Sequence, residues 1–309
     1  MKLSIVATLY QSAAHILEFH ERASVAARTL HGDDYEIVFV NDGSPDDSLD
    51  LAAQLVERDF HVVVVDLSRN FGHHKAMMTG LAHASGQHVF LLDSDLEEEP
   101  ECLIGFAEHM QREHCDVIYG VQDRRKGRWF ERWTGRWFYR FFNALTGLAL
   151  PENIATARLM TRRYVDALLR HEEREVFMAG LWHVTGFKQC GHVIKKHSGS
   201  ASTYTLRRKL SLLVNSVTSF SNAPLVAIFY IGVSISLLAL AYVTYIVVFW
   251  MFLAKPVSGW TSVMASIWLL GGMITSFIGV VGLYLSKIFS ETKRRPYTIV
   301  RQIYARPLR

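Results

Sequence analysis

The chain has 309 residues, a formal net charge of +4, and a composition that is 50% hydrophobic and 20% charged, with a mean hydropathy of +0.13. That balance is too polar for a transporter built mainly of membrane helices and too apolar for an ordinary soluble enzyme. No nucleic-acid motif, on a basic segment or an aromatic stacking platform, is visible, which argues against nucleic acid as a partner.

Met1-Lys2 runs into a strand-like segment, Leu3 to Ala7, without the long apolar region and cleavage site of a signal peptide. Further apolar runs follow at Ile37–Val40, Val62–Val65, Val89–Leu92 and Val117–Tyr119. Helix-length segments separate them near Ser12–Leu30, Ser48–Arg58, Lys75–Ser85 and Glu101–Arg112. This alternation predicts an α/β domain with a mostly parallel sheet and helices on both faces. In such a sheet, ligands bind outside the carboxyl ends of the strands. The polar signatures collect there: Tyr10 after the first strand, Asn41-Asp42-Gly43-Ser44 after the second, Ser68-Arg69-Asn70-Phe71-Gly72 after the third, and Asp93-Ser94-Asp95 after the fourth.

Taken singly, each signature has a plainer reading. Asn41 to Asp46 is rich in turn formers, and Asp47 or Ser48 suits a helix cap. His73-His74 reads as a polar loop, because adjacent side chains do not converge easily on one ion. Glu97, Glu98, Glu99 and Glu101 fit a solvated acidic first turn. Their joint placement at one sheet edge favours a site instead. Asp93 and Asp95 are hard-oxygen ligands suited to Mg²⁺ or Mn²⁺ and to the phosphates such ions carry. A dinucleotide-binding loop is excluded, since Ala7 to Ser12 holds no glycine, and no Walker loop occurs in the chain. Cys102, Cys115 and Cys190 read as a scattered set without CxxC spacing, suited to a reducing cytosol and not to a thiolate metal site.

Farther along, Arg128, Arg132, Arg136 and Arg140 recur every four residues among Trp129, Phe130, Trp133, Trp137 and Phe138. That pattern predicts an amphipathic helix at a bilayer interface, where it would present a lipid phosphate. Pro224 to Ala254 and Thr261 to Ser286 carry no charge and are joined by a short turn containing Lys255. About 20 apolar residues cross a bilayer, so the two segments read as a transmembrane hairpin. Arg207, Arg208 and Lys209 precede it and Lys287, Lys293, Arg294 and Arg295 follow, so the positive-inside rule puts both ends in the cytoplasm. Gly271, Thr275 and Gly279 form a small-residue stripe able to seat one span on the other or join protomers. The expected organisation is a nucleotide-sugar core over 1–125, an acceptor and interface region over 126–223, two spans within 224–289, and a basic cytoplasmic tail over 290–309.

These residues together resemble the family 2 glycosyltransferases, specifically the branch that moves a sugar from a nucleotide to polyprenyl phosphate. The VDDGS-type turn is Val40-Asn41-Asp42-Gly43-Ser44, the RNFGH loop is Arg69 to His73, and the DxDLQDPPE metal motif is Asp93 to Glu101. The FYR, FRL and SKY segments correspond to Phe138-Tyr139-Arg140, Ala157-Arg158-Leu159 and Ser202-Thr203-Tyr204. The chain departs from the pattern at Thr156-Ala157, where relatives have an Asp-Phe pair, at Thr203 in place of lysine, and in the stretch Thr8 to Ser12.

The resemblance implies a GT-A type fold and inverting transfer to undecaprenyl phosphate, supplying a lipid-linked sugar for the cell envelope at the bacterial inner membrane. It also implies a homo-oligomer, often a tetramer; two spans are too few for a translocation channel in one protomer, so a separate flippase is expected to take the product. Asp95 and Asp93 are then the metal ligands. Tyr10, Asp42, Arg69, Asn70, Gly72, Asp93 and Ser94 serve the nucleotide sugar, Arg158 joins the catalytic set, and Arg124, Arg125, Arg128 and Arg140 receive the acceptor phosphate. A phosphate acceptor is already largely ionised near neutral pH, so the acidic group missing at Thr156 is not needed as a base. The competing readings are a processive polysaccharide synthase, whose QxxRW motif is absent, and a membrane-anchored sugar-nucleotide sensor.

Overall fold

The computed structural model describes residues 2–122, 153–174, 176–195, 221–253 and 259–306. The five expected strands are β1 (Leu3–Leu9), β2 (Tyr35–Asn41), β3 (Val62–Leu67), β4 (His88–Asp93) and β5 (Val117–Gln122). Between them run α1 (Ile16–His31), α2 (Ser48–Arg58), α3 (His73–His83) and α4 (Cys102–Glu113). Three more strands, β6 (Ile154–Thr161), β7 (Gln189–Ile194) and β8 (Val300–Tyr304), complete a sheet of order β7-β5-β6-β4-β1-β2-β3-β8. Two short helices, α5 (Arg162–Leu168) and α6 (Met178–Val184), follow β6.

The sheet is mostly parallel, as the alternation predicts; β6 runs antiparallel to β4 and β5, and β8 antiparallel to β3. The core explains this arrangement. Leu3, Ile5, Phe39 and Phe90 on one sheet face pack with Phe19 of α1, Leu55 of α2 and Phe106 of α4, and burial of such side chains is the main driving force for the layers. On the other face α3 approaches closely at Gly80, where a Cβ would lie 2.4 Å from Val6 Cγ1.

Two expectations are corrected. The C-terminal stretch, read as a basic tail, returns to the sheet as β8: Val64, Val65 and Asp66 pair with Tyr304, Ile303 and Gln302. Its charges hid a five-residue strand too short to show a clear alternation. The cysteines are not a scattered set either. Cys115 is joined to Cys190, with Cα atoms 6.3 Å apart, because β5 and β7 are neighbours although far apart in sequence. Cys102 is the free thiol, and burial pushes its pKa up to about 12.

The chain divides into two compact units. The first holds the sheet, including β8. The second holds α7 (Ala223–Leu253) and α8 (Trp260–Thr292). Both are long and apolar enough to cross a membrane, with uncovered apolar stretches at Ala223–Tyr242 and Leu269–Thr292. The Tyr284 hydroxyl of α8 donates to the Ser221 carbonyl ahead of α7 at 2.7 Å. Gly271 and Gly279 face open space, so a Cβ at either would meet no atom within 4 Å. Arg124 and Arg125, the arginine row at 128, 132, 136 and 140, and Ser202 to Tyr204 lie outside the described residues.

Candidate active site

Strand register lines up the polar residues at one sheet edge. Thr8 of β1 pairs with Asp93 of β4, Leu9 with Asn41 of β2, and Asn41 with Asp66 of β3. The loops beyond these positions are laced together. The Gln11 amide donates to Ser44 Oγ at 2.8 Å, and the Ala13 amide to Asp46 Oδ2 at 3.1 Å. Asp46 pays some desolvation, but the hydroxyls of Ser44 and Ser48 and the Ala13 amide outweigh it and hold its pKa at about 2. Ser94, which is buried, donates to the Thr8 carbonyl at 2.8 Å, bracing the metal-motif loop against β1. Tyr10, beside this lacing in sequence, is half-exposed.

Asp42 is buried at the root of its loop. Its carboxylate accepts the Phe71 amide at 2.7 Å and the Gly72 amide at 3.0 Å, and the residue is 2% exposed. Burial raises its pKa despite those two amides. Asp42 thus shapes the loop that carries exposed Arg69 and Asn70, whose Arg69 guanidinium lies 4.2 Å from the centre of the Phe71 ring. Gly43 interlocks the same two loops. It has φ +60°, and a Cβ there would lie 2.5 Å from the Asn70 amide nitrogen. Since the obstacle is backbone, Gly43→Ala is expected to displace the 69–72 loop and cost about 2 kcal/mol, from the strained dihedral and the clash together. Thermal unfolding of the full chain, together with a nucleotide titration, checks this; unchanged melting and binding would show that the interlock is dispensable.

At the β4 end, Asp93 is partly buried and Asp95 exposed. His73, at the start of α3, bridges two strands: Nδ1 lies 3.0 Å from Thr8 Oγ1 and Nε2 lies 3.2 Å from Asp93 Oδ1. Burial opposes its charge, but Asp93, with Asp42 and Asp95, outweighs that and raises the His73 pKa above the ordinary imidazole value. The paired histidines diverge, for His74 Nδ1 turns 3.1 Å from the Val176 carbonyl. The sequence reading gave His73 two places, as half of a polar His73-His74 loop and as the last residue of the RNFGH loop; the structure brings its ring to the sheet edge beside Asp93. Asp95 Oδ1 accepts the Glu97 amide at 3.0 Å, which leaves the carboxylate on the exposed side of the turn. Two carboxylates of this chemistry, one at the surface, fit a hard divalent cation.

Glu98 and Arg158 are placed differently from the sequence reading. Glu98 is fully buried, not part of a solvated acidic turn, and its carboxylate accepts the amides of Thr156 at 3.2 Å and Ala157 at 2.7 Å. It ties the metal-motif loop to β6. Arg158, expected among the catalytic residues, is 1% exposed, with its guanidinium 3.0 Å from the centre of the Trp182 ring. Burial lowers its pKa to about 9, opposed by Tyr164 and Glu98. β6 points the side chain into the sheet face covered by Trp182, so the guanidinium is closed off as it stands.

A model described as Glycosyl transferase family 2 matches residues 4–169. The chain belongs to glycosyl transferase family 2. The match runs from β1 through α5 and contains the whole Asp93–Glu101 motif. Relatives extend past it: a Mycobacterium tuberculosis protein named among the glycosyltransferases is 49% identical over 308 residues, spanning 100% of this chain and 90% of its own length. A bactoprenol glucosyl transferase of Shigella phage SfV is 31% identical over 303 residues, spanning 97% of this chain and 98% of its own. The uncharacterized glycosyltransferase YkcC of Bacillus subtilis is 31% identical over 307 residues, covering 98% and 94%. The similarity therefore extends beyond the family 2 domain through the stretches that form α7, α8 and β8 in this chain.

Proposed function

We propose that this glycosyltransferase moves a sugar from a nucleotide-diphosphate sugar onto polyprenyl phosphate at the cytoplasmic face of a membrane, inverting the anomeric configuration. The observation that carries the reading is the Asp93/Asp95 pair at the carboxyl edge of a sheet whose chain continues into two membrane-length apolar helices. Similarity to the phage bactoprenol glucosyl transferase over almost the whole chain supports a lipid acceptor. The topology supports the orientation. β3 precedes the hairpin and β8 follows it, yet both lie in one sheet, which cannot straddle a bilayer. Two spans give an even number of crossings, which keeps both strands on one side, and the flanking cations support the cytoplasm as that side. A reducing cytoplasm would hold Cys115 and Cys190 as thiols without loss of the ladder that brings them together.

In this reading Asp95, with Asp93, holds Mg²⁺ or Mn²⁺, whose charge offsets that developing on the leaving nucleoside diphosphate. Tyr10, Arg69 and Asn70 receive the nucleotide on a loop shaped by Asp42 and Gly72, while Ser94 fixes the approach of the metal loop. Arg124, Arg125, Arg128 and Arg140 supply the fork that binds the acceptor phosphate. Arg158 acts from beneath, as a prop for β6. The acceptor phosphate is its own nucleophile, so no carboxylate is required at Thr156. An oligomer and a downstream flippase complete the scheme.

The test is transfer by the purified full-length protein from a panel of nucleotide sugars to undecaprenyl phosphate with Mn²⁺ or Mg²⁺, read by mass spectrometry. One monoglycosylated lipid phosphate is expected. Nucleotide binding with no lipid product across the panel would overturn the acceptor assignment.

A further inference from the structure

The strand that follows the apolar hairpin touches the donor side of the site at several points. Arg301 of β8 donates from Nη1 to Asp66 Oδ2 at 3.2 Å and from Nη2 to the Ser68 carbonyl at 2.7 Å. The Ser68 amide returns a bond to the Ile299 carbonyl at 2.9 Å. Thr298 Oγ1 lies 2.8 Å from Thr79 Oγ1 on α3. Asp66, only 1% exposed, accepts from Asn41 Nδ2 on its other oxygen at 2.8 Å, and Asn41 Oδ1 accepts the Ser44 amide at 3.2 Å. Both loops that meet at Gly43 are therefore anchored on residues that β8 holds. The β3–β8 register shifts between Asp66 and Leu67, so the ladder is interrupted where the arginine bonds take over.

We infer that β8 is a clamp on the donor loops and that Arg301 is a positioning residue for the nucleotide, acting through Asp66–Asn41 on one loop and through Ser68 on the other. The inference rests on the donor reading proposed above. Physically, a fork that bonds a buried carboxylate and a loop carbonyl together fixes their separation, which a point charge cannot do.

The experiment uses the full chain in detergent, with Arg301→Gln and Arg301→Lys. Titration with UDP, GDP and dTDP gives the nucleotide Kd, hydrogen exchange follows the Phe71 and Gly72 amides, and steady-state transfer gives the KM of each substrate. Arg301→Gln is expected to raise the nucleotide Kd and donor KM on the order of fivefold, the scale of a lost charge-assisted bond at a partly exposed site. It should speed exchange at Phe71 and Gly72 and leave acceptor KM within about twofold. Arg301→Lys should recover part of the loss, and it carries the same readouts if the glutamine variant does not fold. Unchanged exchange at Phe71 and Gly72, or an unchanged Kd in a protein that binds nucleotide, overturns the clamp. If the unmodified protein binds none of the three nucleotides, the donor reading fails, and the exchange result alone decides the clamp.

Discussion

Asp95→Asn is expected to lower transfer about 10²- to 10³-fold while leaving the fold intact, the scale seen when one element of transition-state charge stabilisation is removed. The substitution isolates the charge. In the native turn Asp95 Oδ1 accepts the Glu97 amide, and an asparagine oxygen can keep that bond while losing the negative charge and half of the oxygen donors. The side chain is exposed, so the melting temperature should move by no more than about 2 °C. Asp93→Asn is a less clean probe, because Asp93 also faces His73 at 3.2 Å and its loss would release the histidine from the β4 end. The measurement is turnover of the full-length protein across a titration of Mn²⁺ and Mg²⁺. Near-normal, metal-dependent turnover in Asp95→Asn would remove the metal assignment.

The sheet-edge part of this site was legible in the sequence because its residues are chemically conspicuous and fall directly after apolar runs. Asp93, Asp95, Asp42 and Gly43 were placed at the sheet edge by counting strands alone. The structure alters their division of labour. Gly43 and Asp42 join two loops, since their neighbours include the backbone of Arg69 to Gly72. What stayed illegible depends on pairing between distant segments. β6 reaches the sheet beside β4, and nothing in Ile154 to Thr161 marks which strand it will join. β8 is similarly unmarked, and its partner β3 lies more than 200 residues earlier. Glu98 was hidden by its company: one buried carboxylate among four glutamates has no local signature, because what separates it from Glu97 and Glu99 is a contact with β6.

That contact makes the second large effect. Glu98→Ala is expected to destabilise the protein by about 3–5 kcal/mol, the cost of removing one partner from a buried charged network. Two consequences combine. The amides of Thr156 and Ala157 lose their acceptor in a dry environment, and unsatisfied buried donors cost about 1–3 kcal/mol each. The Arg158 guanidinium, already pushed to a pKa of about 9 by burial, also loses one of the groups that favour its charge. A typical domain has only about 5–15 kcal/mol in hand, so the variant should melt far below the native protein and accumulate poorly. Glu98→Gln keeps one acceptor oxygen and should fall between the two. The decisive comparison is among Glu98→Leu, Arg158→Met and the Glu98→Leu/Arg158→Met double variant, each followed by denaturant unfolding of the full-length chain. If the two residues act as a unit, the double variant will be more stable than the sum of the single losses, since no charge is stranded. Additive losses would mean that Glu98 serves β6 alone, and that Trp182 by itself accommodates the arginine.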